Sequence, residues 1–249
     1  MFKAKTAKIE ALAAKSPHRI TELESLLTDR VNMYIDYANV RPWSEKLGWN
    51  IDIKRLKQFL NSFDNVFDIN YYNGTHAGNQ DSEEAIKRAI ELKYKVHTKP
   101  VKIMEFSVDV RGIASKDDRS LVKQFIRKSL LRKYDAITIE YLNQKFIDMN
   151  TLGEFSIKDM KCNFDVEIGV DILLDAERKA ADTFVLWSGD SDFHDALSRL
   201  LKLGKKAIVF GTAGRISREL NGLTSDGLII FDIQKIREFI CWNKEMKNA

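Results

Sequence analysis

Short apolar runs alternate along the chain with segments in which apolar residues recur every three or four positions. The apolar runs predict strands at 31–36, 66–74, 183–188, 206–211 and 227–232. The periodic segments predict helices at about 52–63, 82–94, 193–203 and 215–220. Because a helix that follows each strand returns the chain to the same edge, this alternation predicts an α/β fold with a mainly parallel central sheet covered by helices on both faces.

Two parts of the chain depart from this alternation. Residues 1–29 hold a run of helix formers that stops before Pro17, which predicts an N-terminal helical extension. We place the main domain at 30–240, with a helical insertion at about 107–160 and a C-terminal tail at 241–249. The basic segment 119–133 predicts a helix with one apolar face. Its charged side is interpreted as solvated, with nucleic-acid binding as the alternative.

Composition limits the class of protein. A chain of 249 residues with 44% hydrophobic content can bury a large core, so we expect one globular domain with an elaboration. The formal charge of +4 permits a nucleic-acid partner without requiring one. Cys162 and Cys241 are far apart, which indicates neither a disulfide scaffold nor a zinc site and fits a reducing, cytoplasmic location. No signal peptide or membrane span is predicted, and a homodimer is left open.

Acidic residues stand where two predicted strands end. Asp36 closes the first strand, and Asp190 and Asp192 follow the run 183–188. Since ligand sites of parallel sheets lie at the carboxyl ends of the strands, Asp36 and Asp190 are expected on one side of the molecule. Asp192 has two interpretations, as the N-cap of the next helix or as part of the site.

A third acidic group begins at Asp165. Asp165 and Asp171 cannot face the same way on one helix, because six residues correspond to about 240° of rotation. Asp165 is therefore the preferred member of the site, Asp171 a weaker candidate for direct contact, and Asp175 a surface acid. Carboxylates that converge raise one another's pKa unless a cation binds, and oxygen ligands of this kind indicate Mg²⁺ or Mn²⁺.

These motifs carry a resemblance. The segments 35-IDYAN-39, 161-KCNFDVEIGVD-171 and 187-WSGDSDF-193, followed by Gly-Lys-Lys and a strand, resemble the NYN family of PIN-like nucleases, including its LabA-like members. The resemblance covers about residues 31–75 and 161–235 and implies a three-layer α/β/α, PIN-like (Rossmann-like) domain that cleaves RNA with a divalent metal. It further implies that Asp36, Asp165 and Asp190 hold the metal and that Asp192 completes the cluster. Orienting roles are implied for Asn39, Ser188 and Asp171.

Candidate substrate contacts follow the same strands. They are Arg41, Trp43, His76, Arg215 and Arg218. Cationic side chains suit phosphates, and aromatic rings suit unpaired bases, although packing in the core is the favoured interpretation for the tryptophan. We expect single-stranded RNA as the substrate.

Two other functions compete with the nuclease. A catalytically inactive RNA-binding or regulatory module would keep the fold, but a pure binder would gain from fewer acids near phosphate. A phosphatase with an aspartyl nucleophile would want a second acid two residues after Asp36, where the chain has Ala38.

Overall fold

The computed structural model describes residues 1–76, 78–126 and 131–242, with the side chains of 45–46 and 159–161 excepted. The chain forms two compact units. The main unit comprises Met1–Pro100 together with the chain from Cys162 onward, and the smaller unit comprises Val101–Lys161.

The main unit is built on a six-stranded parallel sheet. Its strands are β1 (Val31–Asp36), β2 (Val66–Thr75), β3 (Lys95–Pro100), β6 (Thr183–Trp187), β7 (Lys206–Gly211) and β8 (Ile229–Asp232), in the order β3-β2-β1-β6-β7-β8. The predicted parallel α/β architecture is confirmed. The sequence analysis did not predict β3, whose segment KVHTKP is half polar and lies at the edge of the sheet.

Helices cover both faces of this sheet. They are α1 (Ala7–Lys15), α2 (Pro17–Leu26), α3 (Tyr37–Val40), α4 (Ser44–Leu47), α5 (Ile53–Leu60), α6 (Gln80–Glu91), α8 (Asp165–Glu177), α9 (His194–Lys202), α10 (Arg218–Gly222) and α11 (Arg237–Ile240), with α7 in the smaller unit. None of the described helices combines the length and hydropathy needed to cross a bilayer.

Alternate residues of β1 enter two different cores. Met33 and Ile35 pack in the core shared with α1, α2, α5 and α11, whereas Tyr34 packs in the core shared with α8 and α9. This alternation is the two-residue period of a strand that is buried on both faces. It gives the main unit three layers, with the sheet in the middle.

The smaller unit has a core of its own. Strands β4 (Lys102–Ser107) and β5 (Ser156–Lys161) pair antiparallel, and α7 (Ala136–Thr151) contributes Ile139 and Phe146 to the core. The basic segment 119–133 was expected to be one helix. Its described part instead contains a short 3-10 helix, Val122–Gln124, and residues 127–130 lie outside the described residues.

The strand order reverses beside β1. The chain proceeds from β1 to β2 and β3 on one side, and later crosses to β6, β7 and β8 on the other. A reversal of this kind opens a crevice at the carboxyl ends of the two strands where it occurs, here β1 and β6. Asp36 is the last residue of β1, and Ser188 directly follows β6.

Candidate active site

A side-chain hydrogen bond joins the ends of β1 and β6. Ser188 Oγ donates to Asp36 Oδ2 at 3.2 Å, and both residues are buried. Asp36 Oδ1 accepts from the backbone N–H of Asn39 at 3.3 Å and so caps α3. Both carboxylate oxygens therefore have donors that fix the orientation of the group.

The loop after β6 folds around its own side chains. Gly189 N–H donates to Asn39 Oδ1 at 3.4 Å, and Asp190 N–H donates to Ser188 Oγ at 3.3 Å. Asp190 Oδ1 accepts from Asp192 N–H at 3.3 Å, so Asp190 caps the 3-10 turn Ser191–Phe193. Asp192 does not cap the helix, so that interpretation was wrong, and Asp192 is exposed.

Gly189 makes a close backbone contact with the loop after β7. A Cβ at this position would lie 1.8 Å from the carbonyl oxygen of Arg215. Ser217 N–H donates to the carbonyl of Gly189 at 2.9 Å. A side chain at 189 would therefore push the two loops apart. The contact places the backbone of Arg215 beside the carboxylate loop, and Arg218 follows in α10 as an exposed residue.

Asp165 reaches this site from the start of α8. Its backbone N–H donates to Asn163 Oδ1 at 2.8 Å. Burial raises the pKa of Asp165 to about 7, and the charges of Asp190 and Asp36 and a hydrogen bond with Asp192 raise it further. Asn163 opposes the shift. The sequence analysis missed Asn163, although an Asn two residues before a helical Asp is a recognisable turn signal.

Asp36 responds to the same cluster. Burial raises the pKa of its carboxyl to about 6, the hydrogen bonds from Asn39 and Ser188 lower it, and the charge of Asp190 raises it. Four carboxyl groups from three separate segments are therefore electrostatic neighbours, namely Asp36, Asp165, Asp190 and Asp192. The strand ends predicted that Asp36 and Asp190 lie on one side of the molecule, and Asp165 joins them from the start of α8.

The other acids of α8 bond to the sheet. Tyr72 Oη donates to Asp171 Oδ2 at 2.7 Å, and Tyr34 Oη donates to Asp175 Oδ2 at 2.6 Å. Asp175 also accepts from Asn32 at 3.1 Å, so the expectation of a surface acid was wrong. Its partners lie more than 140 positions away in sequence and were invisible to local pattern. Asp171 contacts β2 rather than the carboxyl cluster.

The predicted substrate contacts have different surroundings. Arg41 is exposed after β1, and His76 is half-buried after β2, where its N–H donates to Ser82 Oγ at 3.1 Å. Trp43 is 1% exposed and packs in the core against the region of Gly211. The candidate role of Trp43 as a stacking platform was therefore wrong. The alternative of core packing, which the sequence analysis favoured, describes this tryptophan.

The four carboxyls suit a divalent cation in their chemistry. They are hard oxygen donors, and burial raises the pKa of Asp36 to about 6, so a bound cation would favour its charged form. Among the described residues, no three Asp, Glu, His or Cys side chains already form a group that could hold a metal ion. The carboxyls are close enough to shift one another's pKa values, but their oxygens are not arranged as the ligands of one ion. The carboxyls are repelling neighbours that a cation would have to draw together.

Comparisons with known proteins show which family this chain is similar to. Residues 114–229 match the family model of the NYN domain. This part of the chain is therefore similar to the NYN domain. The matched residues include Asp165, Asp190 and Asp192, whereas Asp36 lies before them. The predicted resemblance is confirmed, and it makes this chain similar to PIN-like nucleases, which commonly use divalent metals.

The similarity to individual proteins extends beyond residues 114–229. The low amplitude and bright protein LabA of Synechococcus elongatus is 25% identical over 212 residues, which cover 85% of this chain and 87% of that protein. A crystal structure of a protein of unknown function from Vibrio parahaemolyticus superposes with a TM-score of 0.50 at 16% identity. It covers 83% of this chain and 94% of its own and supports the fold alone.

Proposed function

We propose that this NYN-domain protein is a metal-dependent ribonuclease that hydrolyses phosphodiester bonds of single-stranded RNA. The observation that carries the proposal is the gathering of Asp36, Asp165, Asp190 and Asp192 at the sheet edge where the strand order reverses. These four residues would hold Mg²⁺ or Mn²⁺. The bound ion would supply charge neutralisation at the phosphate and activation of water.

The surrounding residues orient the carboxyls. Ser188 and the backbone of Asn39 hold the two oxygens of Asp36, and Asp190 is tied to its own loop through the N–H of Asp192. The pKa of Asp165 is raised to about 7, so its carboxyl is partly protonated near neutral pH when no cation is bound. Cation binding would therefore release that proton.

The reaction needs no covalent intermediate with the protein. The oxygen of water attacks phosphorus, the bond from phosphorus to the 3′ oxygen breaks, and the products are a 3′-hydroxyl and a 5′-phosphate. These products are the ones that the family resemblance implies. The surrounding carboxylates hold the site ready for a cation, and no serine or cysteine nucleophile is required.

Basic residues that follow strands at the same edge of the sheet support an anionic substrate. Arg41 follows β1, His76 follows β2, and Arg215 follows β7, so their backbones all lie at the carboxyl edge of the sheet. Arg218 is the first residue of α10. Cations along this edge would neutralise phosphates on either side of the bond that is cleaved and would offset the repulsion between RNA and the acids.

The test uses labelled single-stranded RNA and DNA with Mg²⁺, with Mn²⁺ and with chelator. The Asp190→Asn variant is compared with Asp195→Asn, whose side chain is 92% exposed four residues after Ser191. We expect metal-dependent RNA cleavage that D190N loses and D195N keeps. Equal cleavage by wild type and D190N would contradict the proposal. RNA binding without cleavage under every metal condition would favour the regulatory module instead.

A further inference from the structure

A cavity of about 390 Å³ lies in the main unit among α1, α5, α6 and the segment that follows α11. None of the four clustered carboxyls lines it. Its volume falls within the range of small-molecule sites, roughly 300–1,000 Å³. Both apolar and cationic side chains line the cavity.

An anchored tryptophan forms one side of the cavity. Trp242 Nε1 donates to Asp52 Oδ2 at 2.6 Å, and Trp242 N–H donates to the carbonyl of Asn50 at 2.8 Å. The Asp52 side chain is only 4% exposed and also accepts from Arg88 at 3.0 Å and from the N–H of Arg55 at 2.8 Å. The indole is therefore held at its polar end while 55% of Trp242 stays exposed. A ring that is fixed and open to solvent is suited to stacking on a planar base.

Two lysines at the cavity carry charge that has no partner in the part of the chain that the structure describes. Lys8 on α1 and Lys54 on α5 are exposed, and no described carboxylate lies within salt-bridge distance of either. Arg55 is used differently, since its guanidinium donates to the carbonyls of Cys241 and Glu238. The unpaired positive charge at the cavity is thus that of the Lys8 and Lys54 ammonium groups. A phosphate monoester carries about −1.5 to −2 at neutral pH and matches them.

Part of the remaining wall is apolar. Ile9, Leu12 and Phe239 line it, and Ile9 and Phe239 are buried in the core on this side of the sheet. Apolar contact of this kind accommodates a ribose and the edge of a base, and the two lysines that also line the cavity suit a phosphate.

We propose that this cavity binds a nucleoside 5′-monophosphate, with the base against Trp242 and the phosphate at Lys8 and Lys54. The ligand has two sources, a free nucleotide or the 5′-phosphorylated end of an RNA strand, and both present the same chemistry. The proposal does not depend on the nuclease chemistry, because none of its residues belongs to the carboxyl cluster.

The experiment measures binding to the intact protein by calorimetry and by tryptophan fluorescence. The probes are 5′-AMP, adenosine, inorganic phosphate, and a short RNA with either a 5′-phosphate or a 5′-hydroxyl, all in chelator so that cleavage is suppressed. The variants are the double substitution Lys8→Gln with Lys54→Gln, and Trp242→Leu. Lys202→Gln on α9 is the matched control, since Lys202 is also exposed but does not line the cavity.

Each variant has its own expected signature. The wild type should bind 5′-AMP more tightly than adenosine or phosphate, with quenching of tryptophan fluorescence. The double lysine variant should lose about tenfold or more in affinity for 5′-AMP while its affinity for adenosine is unchanged. W242L should lose the quenching and bind 5′-AMP no better than phosphate, and K202Q should behave as wild type.

The two sources are told apart by the RNA probes. Preference for the 5′-phosphorylated strand over both the 5′-hydroxyl strand and 5′-AMP assigns the site to RNA ends, and preference for 5′-AMP assigns it to free nucleotide. The proposal is overturned by absence of 5′-AMP and RNA-end binding in wild type. It is equally overturned by binding that the double lysine variant and W242L both retain, provided that melting curves show these variants folded.

Discussion

Ser188 Oγ lies 3.2 Å from Asp36 Oδ2, so the end of β6 supports the carboxylate at the end of β1 across 152 positions of sequence. Both residues are buried, and the bond helps to lower the pKa of Asp36 against the larger effect of burial. The ability of Asp36 to bind a cation therefore depends in part on the neutral hydroxyl of Ser188, which directly follows the neighbouring strand.

Replacing Ser188 by alanine should raise the pKa of Asp36 further and weaken divalent-ion binding. A hydrogen bond to a charged group contributes about 1.5–3 kcal/mol, so an affinity loss of about tenfold is expected at pH 6 to 7. Calorimetric titration with Mn²⁺ measures it. The control is Ser225→Ala, which removes an exposed hydroxyl whose one hydrogen bond among the described residues is to the carbonyl of Gly222. Unchanged Mn²⁺ affinity in S188A would show that Ser188 is not needed to orient Asp36.

The contact between Gly189 and Arg215 predicts a second, purely steric effect. In Gly189→Ala the new Cβ would meet a backbone oxygen at 1.8 Å, and backbone cannot rotate away as a side chain can. We expect a destabilisation of at least about 2 kcal/mol in the free energy of unfolding, measured by urea denaturation.

Gly222 offers the matched control. It has helical backbone angles, and a Cβ there would meet nothing within 4 Å. Gly222→Ala should be neutral or stabilising by about 0.4–1 kcal/mol. Similar destabilisation by G189A and G222A would mean that the close approach of the two loops is not the cause.

The carboxyl cluster predicts how stability without metal depends on pH. The pKa values of Asp36 and Asp165 are about 6 and about 7 in the folded protein, above the ordinary value of 3.8. The folded state therefore holds protons that the unfolded state has already lost, and unfolding becomes easier as pH rises from about 4 to about 7. The melting temperature in chelator should therefore fall as pH rises over this window, because Asp36 and Asp165 lose their protons in the folded state.

Divalent ions should counteract this loss. Because the ion binds the deprotonated carboxyls, Mg²⁺ or Mn²⁺ should raise the melting temperature more at pH 8 than at pH 5. Asp165→Asn, which removes the group with the higher pKa, should flatten the pH dependence in chelator and reduce the response to Mn²⁺. A metal response that is the same at both pH values would count against proton release from this cluster.

The sequence predicted that Asp36 and Asp190 lie close together, but it did not predict the hydrogen bonds of Asp171 and Asp175 to the sheet. Asp36 and Asp190 follow buried strands, and the edge rule for parallel sheets was enough to bring them together. The partners of Asp175, Tyr34 and Asn32, are distant in sequence, and local periodicity cannot detect such contacts. Strand β3 was not predicted, because a half-polar edge strand lacks the apolar run that marks the inner strands.

The bond between Tyr72 and Asp171 predicts an effect on the site through α8. Asp171 is six residues after Asp165 on the same helix, and Tyr72 Oη holds it to β2 at 2.7 Å. His97 stacks on the Tyr72 ring with centroids 4.4 Å apart. We infer that this bond sets the rotation of α8 and thereby the position of Asp165. Tyr72→Phe should lower Mn²⁺ affinity several-fold and cost about 1–2 kcal/mol in unfolding free energy.

Substitutions of Asp171 separate orientation from general stability. Asp171→Asn keeps an oxygen that can accept from Tyr72, so it should retain most of the Mn²⁺ affinity, whereas Asp171→Ala should match Y72F. The double variant with Y72F and D171A should lose no more than either single variant, because both remove the same bond. Additive losses of Mn²⁺ affinity in that cycle would show that Tyr72 and Asp171 act independently, and the placement of Asp165 would then require another support.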